Sequence, residues 1–132
     1  KKTLPCTMTP INIAPTDETP AVDFNPAANT FEISGKSLPE DVTSFYDPIL
    51  EWLSGYAESP NDSSTFSFKM GYFNTASSKM ILDILLKLEE IHEDGNTVMI
   101  KWYYREDDED MEEAGEEYAD IVELDFEQIA YD

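Results

Sequence analysis

The chain has one cysteine, Cys6, and one histidine, His92. A single cysteine excludes an internal disulfide and a thiolate zinc site, and Cys6 stands in a Pro/Thr-rich leader without neighbours that would activate a thiol. His92 falls at the polar end of a predicted helix, where it lacks the partners of a Ser-His-Asp or Cys-His site. Cations are scarce too: eight Lys and Arg face 29 Asp and Glu, a formal net charge of -21. Such a surface repels phosphate backbones and anionic headgroups, which argues against nucleic acid and membrane surfaces as partners. The five glycines are scattered, with no P-loop, no G-x-G-x-x-G and no hydrolase elbow. No apolar run approaches the roughly 20 residues of a membrane span, and the N-terminus has no signal-peptide core. These absences lead to the expectation of a cytoplasmic protein that is not an enzyme, holds no cofactor or metal and does not insert into membranes. With so many carboxylates, adjacent acidic pairs are no sign of catalysis.

What is present is an ordinary globular composition, 41% hydrophobic and 12% aromatic, in a length that suits one domain. Residues 1–20 read as an extended lead-in whose β-like patch Ile11–Ile13 is a candidate edge strand; residues 21–132 read as a single α/β domain. Ala21–Asn25 and Thr30–Lys36 alternate with period two around the turn segment Asn25–Asn29, which predicts a hairpin. Val42, Phe45, Tyr46, Ile49, Leu50, Leu53 and Tyr56 recur at helical spacing. Pro48 is expected to kink that helix or to restart it with Asp47 as N-cap. Thr65–Phe73 predicts a strand with Phe66, Phe68, Met70 and Tyr72 on one face. A helix follows from about Thr75 to Glu93, then a strand over Thr97–Arg105, a short acidic helix carrying Met111, Ala114, Tyr118 and Val122, and a strand over Leu124–Tyr131. The order β-β-α-β-α-β-α-β implies a mixed sheet, an antiparallel hairpin joined to parallel strands, with packed helices.

Two segments invite a functional reading. Glu106–Glu117 has nine acidic residues in twelve, but Gly115 comes too late for a calcium loop. The spacing fits a helix with a solvated face, or a docking surface for a basic partner. The other segment is Asn74-Thr75-Ala76-Ser77-Ser78-Lys79, at the hand-over from strand to helix. Asn, Thr and Ser are ordinary N-cap residues. A hydroxyl there is also a favourable phosphorylation site, because a helix N-terminus offers unpaired amides and the positive end of the dipole. Lys79 lies one turn beyond Thr75, and Lys69, Lys79, Lys87 and Lys101 all fall in this strand-helix-strand unit. On the same helix Leu82 and Leu86 point away from the stripe of Ile81, Ile84, Leu85 and Leu88. They either widen the buried face or form an apolar docking patch.

Four stretches, Ile33–Glu40 (ISGKSLPE), Tyr46–Leu53 (YDPILEWL), Tyr72–Lys79 (YFNTASSK) and Trp102–Met111 (WYYREDDEDM), together resemble the SiaC-type regulatory phosphoproteins of bacteria. The resemblance spans roughly residues 9 to 131. It implies a STAS-like layout and an adaptor similar in logic to anti-anti-sigma factors. A dedicated kinase would phosphorylate a hydroxyl at a helix start, a PP2C-like phosphatase would remove it, and the unmodified form would control a signalling enzyme such as a diguanylate cyclase. By the Asn-Thr-x-Ser motif the acceptor would be Thr75, with Ser77 the alternative. Asn74, Ser78 and Lys79 would surround it, and Ala76 replaces a serine that relatives can carry.

Overall fold

The structure, a computed structural model, describes residues 9–132; Cys6 lies outside them. In chain order the elements are β1 (Ile11–Ile13), β2 (Ala21–Asn25), β3 (Thr30–Ser37), α1 (Val42–Tyr56), β4 (Ser63–Phe73), α2 (Thr75–Glu93), β5 (Thr97–Arg105), α3 (Glu109–Ile121) and β6 (Asp125–Tyr131). The strands form one mixed sheet in the order β1-β2-β3-β4-β5-β6. β1, β2 and β3 pair antiparallel, and β3 to β6 pair parallel. The mixed layered α/β architecture is therefore the one implied by the period switches.

Each crossover moves one strand along in the same direction. Right-handed crossovers then place all three helices on one face, and the burial pattern agrees. Val22, Phe24, Phe31, Ile33, Phe66, Phe68, Val98, Ile100 and Trp102 are buried on the helix side. The other phase of the same strands carries Asp23, Glu32, Ser67, Lys69 and Lys101, joined by Glu127 of β6 beside Lys101, none of them buried. On that open face Lys69 lies 3.2 Å from Glu32 and 4.9 Å from the centre of the Tyr103 ring.

The core has two aromatic centres. Under α1, Phe31 stacks on Phe66 at 4.4 Å, with Phe24, Trp52 and Tyr56 around them. Under α3, Trp102 meets Phe68, Tyr118 and Phe126 at 5.6, 5.4 and 6.3 Å.

The α1 helix begins at Asp41, whose carboxylate accepts from the Ser44 amide at 3.1 Å and the Ser44 hydroxyl at 2.8 Å. These bonds, the amide first, hold the Asp41 carboxyl below its usual range. Pro48 does not divide the helix: α1 runs unbroken across it, and Asp47 starts nothing. Pro48 and Ser44 are both exposed, so water can reach the carbonyl that lacks its amide donor. Meanwhile Tyr46, Ile49, Leu53 and Tyr56 anchor both halves of α1 in the core.

One local irregularity changes which side chains face inward. Gly35 of β3 pairs with Met70, but its neighbour Lys36 pairs with Tyr72. β4 therefore has an extra residue, Gly71, and its alternation shifts phase there. The single inward face expected for Phe66, Phe68, Met70 and Tyr72 ends at Met70. Tyr72 turns outward, 50% exposed, and Phe73 turns in against Trp102 at 6.2 Å. Gly35 takes a left-handed φ of +115° at this shift, a backbone conformation few other residues adopt.

Candidate functional site

Parallel strands β3, β4 and β5 deliver the chain to one end of the sheet, where open α/β sheets usually place their sites. Here β4 ends at Phe73 and α2 begins. Asn74 is the N-cap: its Oδ1 accepts from the Ser77 amide at 2.8 Å and its carbonyl from the Ser78 amide at 2.9 Å. Its own amide donates to the Ser37 carbonyl at 3.0 Å, tying the helix start to β3. The amides of Thr75 and Ala76 are left with no intrahelical acceptor, as at any helix start.

The hydroxyls of this turn have different environments. Thr75 is exposed. Ser78 is half-buried, and its hydroxyl donates to the Thr75 carbonyl at 2.7 Å. Ser77 is fully buried. Its Oγ donates to the Ser37 carbonyl at 3.0 Å and accepts from the Ser37 hydroxyl at 2.8 Å. With that proton committed, Tyr46 must donate to Ser37 Oγ, 2.6 Å away. A buried chain, Tyr46 to Ser37 to Ser77, thus pins α1, β3 and α2 together, and burial pushes the Tyr46 hydroxyl above the ordinary tyrosine range. Ser37 and Tyr46 had no functional reading in the sequence. Ser37 is the last residue of β3, in phase with the buried Phe31 and Ile33.

Beside this helix start lies a crevice. One part, about 190 Å³, lies between α2 and α3 and is lined by Phe73, Ser78, Lys79, Leu82, Ala114, Glu117, Tyr118 and Ile121. The Tyr118 hydroxyl donates across it to the Ser78 carbonyl at 2.8 Å, and burial pushes that phenol up strongly. A second hollow of about 390 Å³ shares the walls Phe73 and Ala114 and adds Tyr72, Asp108 and Asp110. Lys79 is thus on the crevice wall. Leu82 lines the crevice, whereas Leu86 lines a separate groove with Leu50 and Lys87.

The acidic helix α3 is capped by Asp108, which accepts from the Met111 amide at 3.0 Å. Glu109, Asp110 and Glu112 in its first turn meet the positive end of its dipole. Two side chains of the sheet fasten it: Trp102 Nε1 donates to the Met111 carbonyl and Gln128 Nε2 to the Glu112 carbonyl, both at 3.0 Å. Gly115 permits this approach, since a Cβ there would stand 2.5 Å from Trp102 Cδ1. Among the described residues no three His, Cys, Asp or Glu side chains converge into a metal-binding group. His92 is structural: its Nδ1 accepts from the Val98 amide at 3.2 Å, where α2 hands over to β5. No helix of the described residues is long and apolar enough to cross a membrane.

The family model described as SiaC family regulatory phosphoprotein matches residues 13–131, taking in every part of this site. The chain belongs to the SiaC family. It is 28% identical, over 95% of its length and 99% of the relative's, to an uncharacterised protein of Pseudomonas aeruginosa strain UCBPP-PA14. The solved structure of SiaC of Pseudomonas aeruginosa superposes with a TM-score of 0.86 at 27% identity, covering 94% of this chain and all of that one. A second structure, in which SiaC is the activator in complex with the diguanylate cyclase SiaD, matches with a TM-score of 0.85 at 27% identity, covering 92% and 99%. Family membership thus covers the regulatory class, and the SiaC fold is shared.

Proposed function

We propose that this protein is a cytoplasmic, non-catalytic adaptor whose hold on a signalling enzyme is switched by phosphorylation of Thr75. The observation that carries the reading is the contrast within one helical turn, in a family described as regulatory phosphoproteins. Thr75 is exposed at the first position of α2, whereas Ser77 is buried with its hydroxyl engaged. A kinase reaches Thr75 without unfolding anything; reaching Ser77 would require opening the Tyr46–Ser37–Ser77 chain. Thr75 is therefore the acceptor and Ser77 the clamp that fixes its helix. Once added, a phosphoryl group meets the orphan amides of the first turn and the helix dipole, worth about 0.3–1 kcal/mol at an exposed site. Lys79, one turn on, balances part of the new charge. A dianion beside an apolar crevice also opposes a docked partner, through desolvation and repulsion.

By analogy with the SiaC–SiaD complex, the target is a diguanylate cyclase, and a kinase with an opposing PP2C-like phosphatase sets the phosphorylation state. The test is calorimetric titration of the diguanylate cyclase from the same cells with three forms: unmodified, Thr75→Ala, and fully phosphorylated at Thr75. The first two should bind alike, and the third should bind at least about tenfold more weakly, about 1.4 kcal/mol. Equal binding by the phosphorylated form would contradict the switch.

A further inference from the structure

The face of the sheet that the helices leave bare is divided by charge. One row across it carries both signs: Asp23, Glu32, Ser67, Lys101 and Glu127 are successive cross-strand neighbours. Beyond that row, toward the C-terminal ends of the parallel strands, the open-face positions of β2 to β6 contain no Asp or Glu. They hold Lys36, Lys69 and Arg105, with Tyr72, Tyr103 and Tyr131 between them. Of the Lys and Arg among the described residues, only Lys79 and Lys87, both on α2, lie elsewhere than on this face. Acidic side chains that served only to keep the chain in solution would cover this end of the sheet too. Instead, the cations of a chain with net charge -21 are gathered there.

We propose that this end of the open face docks an acidic segment of another protein, with carboxylates on Lys36, Lys69 and Arg105 and an apolar residue over Tyr103 and Ile129. The cations are available. Among the described residues no ion pair engages Lys36 or Lys101. Lys69 pairs with Glu32 through side chains that are 42% and 39% exposed, and Arg105 reaches Asp107 only at 3.8 Å. Surface pairs of this kind are worth little, so an incoming carboxylate can replace them. The Lys69 ammonium also lies 4.9 Å from the centre of the Tyr103 ring, which keeps it on the sheet. The patch crosses β3, β4 and β5, adjacent strands about 4.8 Å apart, and runs about 13 Å from Lys101 to Arg105. Carboxylates two residues apart in an extended segment are separated by about 6.7 Å, so five or so residues span it. A small-molecule site is a concave pocket, whereas an unlidded pleated sheet offers the flat area of a protein contact. Nucleic acid is a poor occupant, because its long run of phosphates enters the field of the whole polyanion. A short acidic segment meets mainly the local cations, since charges beyond about 8 Å are screened at physiological ionic strength. The proposal goes beyond the adaptor reading and does not need it. This face lies across the sheet from α2 and α3, so a protein held here leaves the crevice open.

The test titrates synthetic peptides of about eight residues, alternating Glu with Val or Tyr so that the carboxylates share one side, into the full unphosphorylated chain, followed by NMR. The glutamate peptide should shift the signals of Lys69, Lys101, Tyr103 and Ile129, and a version with Gln for every Glu should not. The triple change Lys36→Gln/Lys69→Gln/Arg105→Gln should weaken binding by about tenfold or more. All three side chains are exposed, so thermal melts should show this variant folded. Lys87→Gln removes a cation from the helix side and should change affinity by less than about twofold, as for a charge outside the contact. The proposal is overturned if the glutamate peptide does not bind, or if the glutamine peptide binds as well. It is equally overturned if Lys87→Gln weakens binding as much, charge for charge, as the triple change, which would mean attraction without a site. Displacement of the peptide by a short oligothymidylate at equal concentration would give the face to nucleic acid. Self-association of the chain that the triple change abolishes would give it to the acidic helix of a second copy. None of these measurements involves phosphate on Thr75, so failure here and failure of the switch are read separately.

Discussion

Gly115→Ala should lower stability even though alanine is the better helix former. In an exposed helix the change would gain about 0.8–1 kcal/mol. Here the new methyl would stand 2.5 Å from Trp102 Cδ1, 2.8 Å from Gln128 Nε2 and 2.9 Å from Trp102 Nε1. The indole cannot yield, because it is fully buried among Phe68, Phe73, Tyr118 and Phe126. α3 must lift instead. Overpacking of this kind costs about 1–3 kcal/mol. Stretching the Trp102–Met111 and Gln128–Glu112 bonds adds roughly 0.5–1.5 kcal/mol each. After subtracting the gain in propensity, a net loss of about 1–5 kcal/mol remains. Urea titration followed by far-ultraviolet circular dichroism measures it directly, with Glu113→Ala as the control on an exposed position of the same helix. Because α3 forms one wall of the crevice, the variant should also bind the diguanylate cyclase more weakly at a temperature where it is folded. A Gly115→Ala protein as stable as the parent would refute the close packing of α3 on Trp102.

Ser77→Ala should cost about 1–3 kcal/mol, since it strands the buried Ser37 hydroxyl, whereas Thr75→Ala should stay within about 0.5 kcal/mol of the parent; equal costs in a urea titration would contradict the division between clamp and acceptor. Burial raises the Tyr46 and Tyr118 hydroxyls above their unfolded value of 10.0, so the unfolded chain releases those protons first as pH rises. The contribution of these two phenols should therefore be level from neutral pH to about pH 10 and stability should fall above it by up to about 1.4 kcal/mol per pH unit for each tyrosine; a profile that is level from about pH 8 to 11.5 would show the two phenols to be solvated. With a net charge of -21, the folded chain repels itself, and raising salt from about 0.01 to 1 M shortens the screening length from about 30 to 3 Å. The melting temperature should rise across that range, and a fall would mean that ion pairs outweigh the repulsion.

The parts of this fold that local chemistry specifies were legible in the sequence. Asn74 as a cap marks the start of α2, and the period-two runs of β2 and β5 follow from side chains alternating between core and open face. What was not legible depends on partners distant in the chain. The phase of β4 after Gly71 is set by its register with β3, so Tyr72 and Phe73 exchange the faces that simple alternation assigns them. Ser37, Tyr46 and Ser77 come together only when β3, α1 and α2 are assembled. Leu82 and Leu86 share one side of a helix in projection, yet α3 and α1 claim them for separate grooves. Gly115 read as one of a few scattered glycines, because only Trp102, on a different element, explains it. The candidate segment Asn74–Lys79 was visible as a motif; the contrast between an exposed Thr75 and a buried, engaged Ser77 was not.

The central claim is that Thr75 carries a phosphoryl group. Cleavage after Lys69 and Lys79 releases the peptide Met70–Lys79, which contains Thr75, Ser77 and Ser78. Mass spectrometry of that peptide, from protein recovered from its source cells with phosphatases inhibited at lysis, assigns the site. Substantial phosphate on Thr75, with none on Ser77, is the predicted result. An unmodified peptide under every growth condition, or phosphate on Ser77 instead, would contradict it.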